Sequence, residues 1–454
     1  MRFSKMSELA RLFRQHGVET VYIKHLSTKQ DNEKNQIYLG DGLDSVTNLF
    51  PAKIGVRRAS ESRKKRHSDA GEHKLEAEIR LSWIGDDGEL YPAPGTRIID
   101  YFQYPEVRMS GFLAGCRNAP DAVRRRKQAQ FGRRILALGA TSDGRVLGRV
   151  LTERDDPVVK VFPDLPTYAP APVLRVLLTH GRIGSSPEKL LVTDLTRIAK
   201  AGWHDSRILK RSVGEAEPFR GSQGAGYTLE ALLGVPANAD KAPDIYGFEL
   251  KSYGSSRLSL MTPTPDGGYQ GEHTFREFME RFGRPGAKND GSIRFTGTHR
   301  FGEINRKTGM GLVMAGYDAA TGEFANDPDT ISVQLRHMES GVVVASWSLE
   351  HLANAWNAKH AAACYVPSAK CDAPPGEPYD ARYMYGPVAT IGEGTDVWKL
   401  LRAIAAGSVY YDPADSIYAD GRAKVRPQWR INTPRLARSL EPLYNRVHVV
   451  SLEG

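Results

Sequence analysis

The chain has 454 residues, 40% hydrophobic and 25% charged, which fits two or more folded domains, excludes a disordered or fibrous protein, and leaves no apolar run long enough for a bilayer-crossing helix. Its 62 Lys and Arg against 53 Asp and Glu give a formal net charge of +9, which favours a polyanionic partner without naming which. The three cysteines, Cys116, Cys364 and Cys371, form no CxxC pair, so no zinc knuckle or disulfide framework is expected and a reducing, cytoplasmic setting fits.

Residues 1–14 alternate charged and apolar side chains and lack the continuous apolar core of a signal peptide. Leu9, Leu12 and Phe13 fall on one side of a short amphipathic helix predicted over 7–16. Residues rich in β formers at 21–26 and 37–39 predict two strands, separated by a polar stretch and closed by Gly40-Asp41-Gly42. Further strands are expected at 76–83, 97–102, 134–138 and 146–151, the last two joined by the turn Ser142-Asp143-Gly144. Short strands between such turns predict a mostly-β domain in the form of a small barrel. Two basic clusters interrupt it: Arg57-Arg58 with Arg63-Lys64-Lys65-Arg66, and Arg124-Arg125-Arg126-Lys127 with Arg133-Arg134. One such cluster is as often a solvated loop as a DNA contact, but two in one β domain favour nucleic acid.

The strings VYIKHLS at 21–27, NQIYL at 35–39 and NLFP at 48–51 resemble the start of the N-terminal effector domain of EcoRII-type restriction enzymes. That resemblance implies a B3-like pseudobarrel that holds DNA between two arms, and it places Lys24, Lys29 and Asn35 near one arm. Six prolines lie between 154 and 187, a density that opposes helix and stiffens the chain. A proline-rich linker is therefore expected over 166–187, between a DNA-binding or effector domain at 1–165 and a second domain at 188–454. Residues 173–178 read as a strand opening that second domain.

Apolar spacing predicts a helix over 190–201, and a second over 227–233 that follows the glycine-rich turn 221–226 and stops at Gly234. Leu229, Leu232 and Leu233 form its core stripe, with Glu230 at the edge. Next comes APDIYGFELKSY, 242–253, a short apolar run carrying three charges. Alternation along a strand points Glu249 and Lys251 the same way and Asp244 the other, unless Gly247 supplies a bend. Buried charges must be paired or bind a metal. Taken alone, these residues serve equally a Mg2+ site for phosphodiester hydrolysis and a structural ion pair.

The motifs around them narrow the choice. GAGYTLE at 224–230, PD at 243–244 and ELK at 249–251 resemble the MutH and MvaI/BcnI group of PD-(D/E)XK endonucleases. SLMT at 259–262, FGRP at 282–285 and THRF at 298–301 follow in the order of the MvaI branch. The resemblance runs from about residue 221 to the C-terminus. It implies an α/β nuclease core, a mixed sheet flanked by helices, so that the whole chain is α+β and multidomain. It further implies that Asp244 and Glu249 ligate Mg2+, that Lys251 orients or deprotonates the attacking water, and that Glu230 adds an acidic contact. The substrate is then double-stranded DNA, cut one strand at a time by a monomer to leave a 5′-phosphate and a 3′-hydroxyl. A cognate DNA methyltransferase would share the target, which the two resemblances place in the CC(A/T)GG class. The N-terminal domain would bind a second copy of that target.

In KVRPQWRI, 424–431, Lys424, Arg426, Gln428 and Arg430 fall on one face at period two, with Val425, Pro427, Trp429 and Ile431 on the other. Arginine pairs with guanine and glutamine with adenine in the major groove, so these four are expected to face DNA; a charged edge strand is the plainer reading. Isolated histidines such as His273 and His448 are usually structural, whereas His299 and Arg300, inside the matching THRF, are expected at the DNA. Two further readings share these residues: a MutH-like repair nickase, and a non-catalytic B3-type regulator. A separate DNA-binding domain and the motif order weigh against the first, and the intact Asp244, Glu249 and Lys251 against the second.

Overall fold

The computed structural model describes residues 1–27, 35–43, 46, 49–57, 74–101, 106–141, 143–168, 171–179, 186–210, 215–237, 244–287, 290–357 and 360–453. The first part of the chain opens with α1 (Met6–Gln15), whose Leu9, Leu12 and Phe13 are buried as their spacing requires. The strands that follow are β1 (Val18–Leu26), β2 (Gln36–Gly40), β3 (Lys53–Arg57), β4 (Lys74–Glu78), β5 (Arg80–Ile84), β6 (Leu90–Pro92), β7 (Arg97–Tyr101), β8 (Glu106–Ser110), β9 (Arg134–Thr141), β10 (Arg145–Thr152) and β11 (Arg175–Leu178). They form two sheets, ordered β11-β1-β9-β10-β5-β6 and β2-β8-β7-β4-β3. Leu75 and Ala77 of one sheet and Leu81, Trp83, Leu136 and Leu138 of the other meet in a shared core. The outer face of the first sheet is covered by Leu9 and Phe13 of α1.

Two expectations are revised here. The strand expected over 76–83 divides at Ile79 into β4 and β5, which belong to different sheets. Among the described residues no ladder joins the two sheets, so they face each other as layers where a small barrel was expected. Ile79 contributes one backbone hydrogen bond, to Thr96 at 3.5 Å, where closure needs a continuous ladder. The segment 173–178, expected to open the second domain, supplies β11, which pairs antiparallel with β1 so that Val21 faces Leu177. Val176, Leu177 and Leu178 are all buried there. A free edge on β1 and three apolar side chains outweigh the stiffness of the neighbouring prolines.

The second part is built on α2 (Pro187–Lys200), α3 (Gly224–Leu232), β12 (Glu249–Tyr253), β13 (Arg257–Met261), α4 (Leu349–Asn357), β14 (Ala362–Asp372), β15 (Ala381–Tyr385), β16 (Val388–Glu393), α5 (Val397–Ala405), β17 (Tyr410–Tyr411), β18 (Trp429–Asn432) and β19 (Arg446–Ser451). The long β14 is central: β12 runs parallel on one side, β15 and β16 pair with it antiparallel in succession, and β19 flanks β16. Glu249 lies opposite Ala363 and Lys251 opposite Tyr365, so these four share one face of the sheet. The core on that face includes Trp356 of α4 and Leu400 and Leu401 of α5. Leu250, Cys364 and Val366 point the other way, against Leu191, Leu195 and Ile198 of α2 and Leu229 of α3. This is the mixed sheet between helices that the motifs imply.

The two parts meet at α4. Asn354 donates from its amide to Ile54 O and accepts from Ile54 N, both at 3.0 Å, closing the backbone of β3 as a neighbouring strand would. Beside this joint lies a cavity of about 900 Å³ lined by Tyr22, Lys53 and Arg80 from one part and Asp244, Tyr246 and Asn354 from the other. Among the described residues no helix is long and apolar enough to cross a membrane.

Candidate active site

The run 242–253 is not one strand. Phe248 N donates to Ile245 O at 2.8 Å and Ile245 N to Phe248 O at 3.1 Å, so the chain reverses between them. Tyr246 at φ 52° and Gly247 at φ 85° occupy the corner, and two positive φ values in a two-residue loop define a type I′ turn. Glycine accepts this conformation freely, whereas a tyrosine there costs about 1–2 kcal/mol. The Tyr246 hydroxyl offsets part of that by donating to Asp194 Oδ2 on α2 at 3.0 Å. The reversal returns Asp244 to the start of β12, where its Oδ2 accepts from Leu250 N at 2.8 Å. The parity problem in the sequence is thus resolved by a full turn at Tyr246-Gly247. Pro243 lies outside the described residues.

Glu249 and Lys251 project beside it from one face of β12. Lys251 Nζ donates to Glu249 Oε1 at 3.0 Å, with both side chains largely shielded from solvent. Behind them the Tyr365 and Tyr444 hydroxyls lie 2.7 Å apart, fully buried. Burial drives both phenols up, and the negative charge of Glu249 pushes each further. These tyrosines hold no motif position, and Tyr365 reaches the Glu249 face only through the pairing of β12 with β14, a register no local pattern carries. A buried ion pair stabilises little by itself because desolvation offsets the attraction. Asp244 Oδ2 sits on the backbone N–H of Leu250, the residue between Glu249 and Lys251, and carboxylate oxygens are the donors a hard divalent cation takes. Glu230 is placed differently: its Oε1 and the Ser252 Oγ each lie 4.0 Å from where a Gly226 side chain would sit. Among the described residues no three His, Cys, Asp or Glu side chains are grouped to hold a metal, so Glu230 does not complete a triad with Asp244 and Glu249.

One tight connection after β12, the strands β13, β18 and β17 form a three-stranded sheet. Ser259 faces Arg430 and Arg257 faces Asn432 across β13 and β18, while Tyr410 of β17 faces Arg430. The opposite side sends Leu258, Ile431, Trp429 and Tyr411 into the core. Gln428 Nε2 and Arg430 Nε both donate to Ser259 Oγ at 3.1 Å. Asp412 Oδ2 accepts from Arg430 at 2.9 Å and from Arg257 at 3.1 Å.

A sequence profile of the MvaI/BcnI restriction endonuclease family matches residues 192–440. The chain belongs to this family. It is therefore a site-specific deoxyribonuclease, of a family that generally uses a divalent metal. The match spans Glu230, Asp244, Glu249, Lys251 and the polar sheet, and leaves the first sheet pair outside it. Among solved structures, the restriction endonuclease MvaI with cognate DNA is 19% identical over 58% of this chain and 98% of its own, with a TM-score of 0.43. MvaI in the absence of DNA is 18% identical over 60% and 100%, with a TM-score of 0.32. No curated protein matches the chain.

The remaining expected contacts divide. In this MvaI/BcnI-family chain Lys424, Arg426, Gln428 and Arg430 are half-buried while Pro427, Trp429 and Ile431 are buried, as the alternation predicts. Val425 is an exception at 44% exposure, and the strand expected over 424–431 is broken. Lys424 pairs with Ser416 in a separate sheet. Pro427 has no N–H, Arg426 N is taken by the Asp415 carboxylate, and Gln428 N turns back to Arg426 O at 3.0 Å. The Arg426 guanidinium reaches Ser222 Oγ in the glycine-rich turn at 3.5 Å. His299 does not face a groove: it is 1% exposed, its Nε2 meets Thr308 Oγ1 at 3.1 Å, and burial pushes its pKa down to about 4. Arg300 stacks 4.2 Å over the Tyr410 ring, on the polar sheet. In the first part, Lys24 lies 4.8 Å over the Tyr38 ring and burial lowers its pKa to about 8. Asn35 Oδ1 accepts from Arg125 N at 2.9 Å, tying the first predicted arm to the second basic cluster. Arg134 of that cluster is internal, donating to Ala122 O at 2.6 Å. Lys29 and most of the first basic cluster lie outside the described residues.

Proposed function

We propose that this restriction endonuclease is Mg2+-dependent, that Asp244 and Glu249 hold the ion, and that Lys251 acts on the attacking water. The observation that carries this reading is the Tyr246-Gly247 turn, which sets the Asp244 carboxylate on Leu250 N beside the Glu249–Lys251 pair. A bound Mg2+ lowers the pKa of its water and offsets charge on the phosphate. Lys251, held 3.0 Å from Glu249, keeps an ammonium where the nucleophile approaches and charge develops on the phosphate oxygens. The Tyr365–Tyr444 pair closes the floor under Glu249 and keeps bulk water from that side. Glu230 acts from α3 at a longer range. The products carry a 5′-phosphate and a 3′-hydroxyl.

The finer assignments belong to the same proposal. The first part, carried on to residue 178 by the pairing of β11 with β1, forms a B3-like DNA-binding module, with Lys24, Lys29 and Asn35 at one arm, joined to the endonuclease at 188–454. The enzyme acts as a cytoplasmic monomer that nicks the strands in sequence at a CC(A/T)GG-class site. A methyltransferase protects that site, and a second copy bound to the N-terminal module stimulates cutting. The test is plasmid cleavage in Mg2+ by wild type, Asp244→Ala and Lys251→Ala. Both variants are expected to lose cutting while retaining DNA binding, and wild-type rates in either would overturn the assignment. Equal rates on one-site and two-site plasmids would remove the second-site role.

A further inference from the structure

Asp412 is 8% exposed, and both its oxygens are committed: Oδ1 accepts from Thr298 at 3.0 Å, and Oδ2 from Arg257 and Arg430. Its own N–H donates to Gln428 O at 2.8 Å, which fixes the backbone from which the carboxylate projects. One carboxylate thus holds two guanidiniums on the polar face of the β13-β18-β17 sheet and leaves one positive charge over. Arg430 is held twice, through Nε on Ser259 and Nη1 on Asp412. Arg257, with its side chain 48% exposed, is held once. Arg257 Nε and Nη2 and Arg430 Nη2 have no protein partner among the described residues, so they stand ready to donate outward. Burial raises the Tyr410 phenol on the same face, and it feels the charges of Arg257, Asp412, Arg300 and Arg430.

We infer that Arg257 is a sequence-reading residue that donates, together with Arg430, to the O6 and N7 acceptors of guanine in the major groove, and that Asp412 is the positioning residue that aligns them. The inference rests on the nuclease reading above and deepens it. Two features favour a base edge over a phosphate. A phosphate can be met from many directions, so fixing an arginine beforehand gains little there, whereas a planar two-acceptor edge requires the guanidinium to be oriented. The second feature is the neighbourhood: Ser259 Oγ accepts from both Gln428 Nε2 and Arg430 Nε, so the Arg430 guanidinium is set in a fixed plane beside Arg257.

The test uses the full-length enzyme and duplexes carrying its cleaved sequence, with each guanine replaced in turn by 7-deazaguanine, which lacks the N7 acceptor. A matching series carries single methylphosphonates. Wild type is expected to lose about ten- to a hundredfold in kcat/KM at the guanines read. Arg257→Lys and Asp412→Asn are expected to start lower on natural DNA and to lose little more at those same positions, because the contact is already gone. If instead both variants lose the wild-type factor on 7-deazaguanine to within about twofold, the effects are independent and the inference falls. Loss of methylphosphonate sensitivity with full 7-deazaguanine sensitivity would make Arg257 a phosphate contact and also overturn it. Arg257→Lys changes an exposed side chain, so the test survives if Asp412→Asn fails to fold. Cutting by Asp244→Ala in the same assay would fault the underlying nuclease reading; its absence alongside independent effects would fault this inference alone.

Discussion

Replacing Gly247 with alanine isolates the turn that places Asp244. A side chain at Gly247 meets nothing closer than the Tyr22 hydroxyl at 3.4 Å, an ordinary contact, so its cost lies in the backbone. At φ +85° an L-residue is strained by about 1–2 kcal/mol. That strain has two outlets. If the turn holds, Gly247→Ala lowers unfolding stability by about 1–2 kcal/mol and leaves the metal requirement unchanged. If the turn relaxes, Asp244 leaves Leu250 N and the Mg2+ concentration for half-maximal cutting rises about five- to thirtyfold, the same energy expressed as affinity. Urea denaturation and a Mg2+ titration of cleavage, run on one preparation, should together account for the strain. Unchanged urea midpoint and unchanged Mg2+ dependence would refute the role given to this turn.

Three further outcomes are expected. His299 is held neutral by burial, so its contribution to stability is full above about pH 6.5 and declines as pH falls from there towards about 4, by at most about 3 kcal/mol; His299→Leu should flatten that acid limb in a series of urea midpoints. Asn354→Ala removes both bonds to the Ile54 backbone and should speed hydrogen exchange at Ile54 selectively, with a stability loss of about 1–3 kcal/mol. Tyr444→Phe leaves the Tyr365 hydroxyl without its 2.7 Å partner and should cost about 1–1.5 kcal/mol by thermal or urea unfolding.

The residues proposed for the Mg2+ site could be singled out in the chain because they lie close in sequence. Glu249 and Lys251 are two apart on one face of a strand, and the acidic partner Asp244 is only one turn away. What sequence could not supply was the form of the bend. Tyrosine opposes positive φ, and its place at the corner depends on Asp194, some fifty residues earlier. Ile79 was hidden for the opposite reason. Leu75, Ala77, Ile79, Leu81 and Trp83 are all buried at period two, so the pattern runs unbroken through the point where the chain changes sheets. His299 was expected at the DNA from its place in THRF, but its ring is buried, with Nε2 on the Thr308 hydroxyl and its backbone paired with Tyr411. Asp412 carried no periodic signal at all: its partners Arg257 and Arg430 stand 155 and 18 residues away and meet only when three strands assemble.

The central claim is that this chain cuts DNA at a defined sequence with Asp244, Glu249 and Lys251 at a Mg2+ site. Digestion of methylation-free phage DNA with the full-length protein in Mg2+, followed by sequencing of the ends, tests it most directly. Discrete ends at one short sequence, carrying 5′-phosphates and absent with Asp244→Ala, are predicted. Random ends, or the same discrete ends from Asp244→Ala, would contradict it.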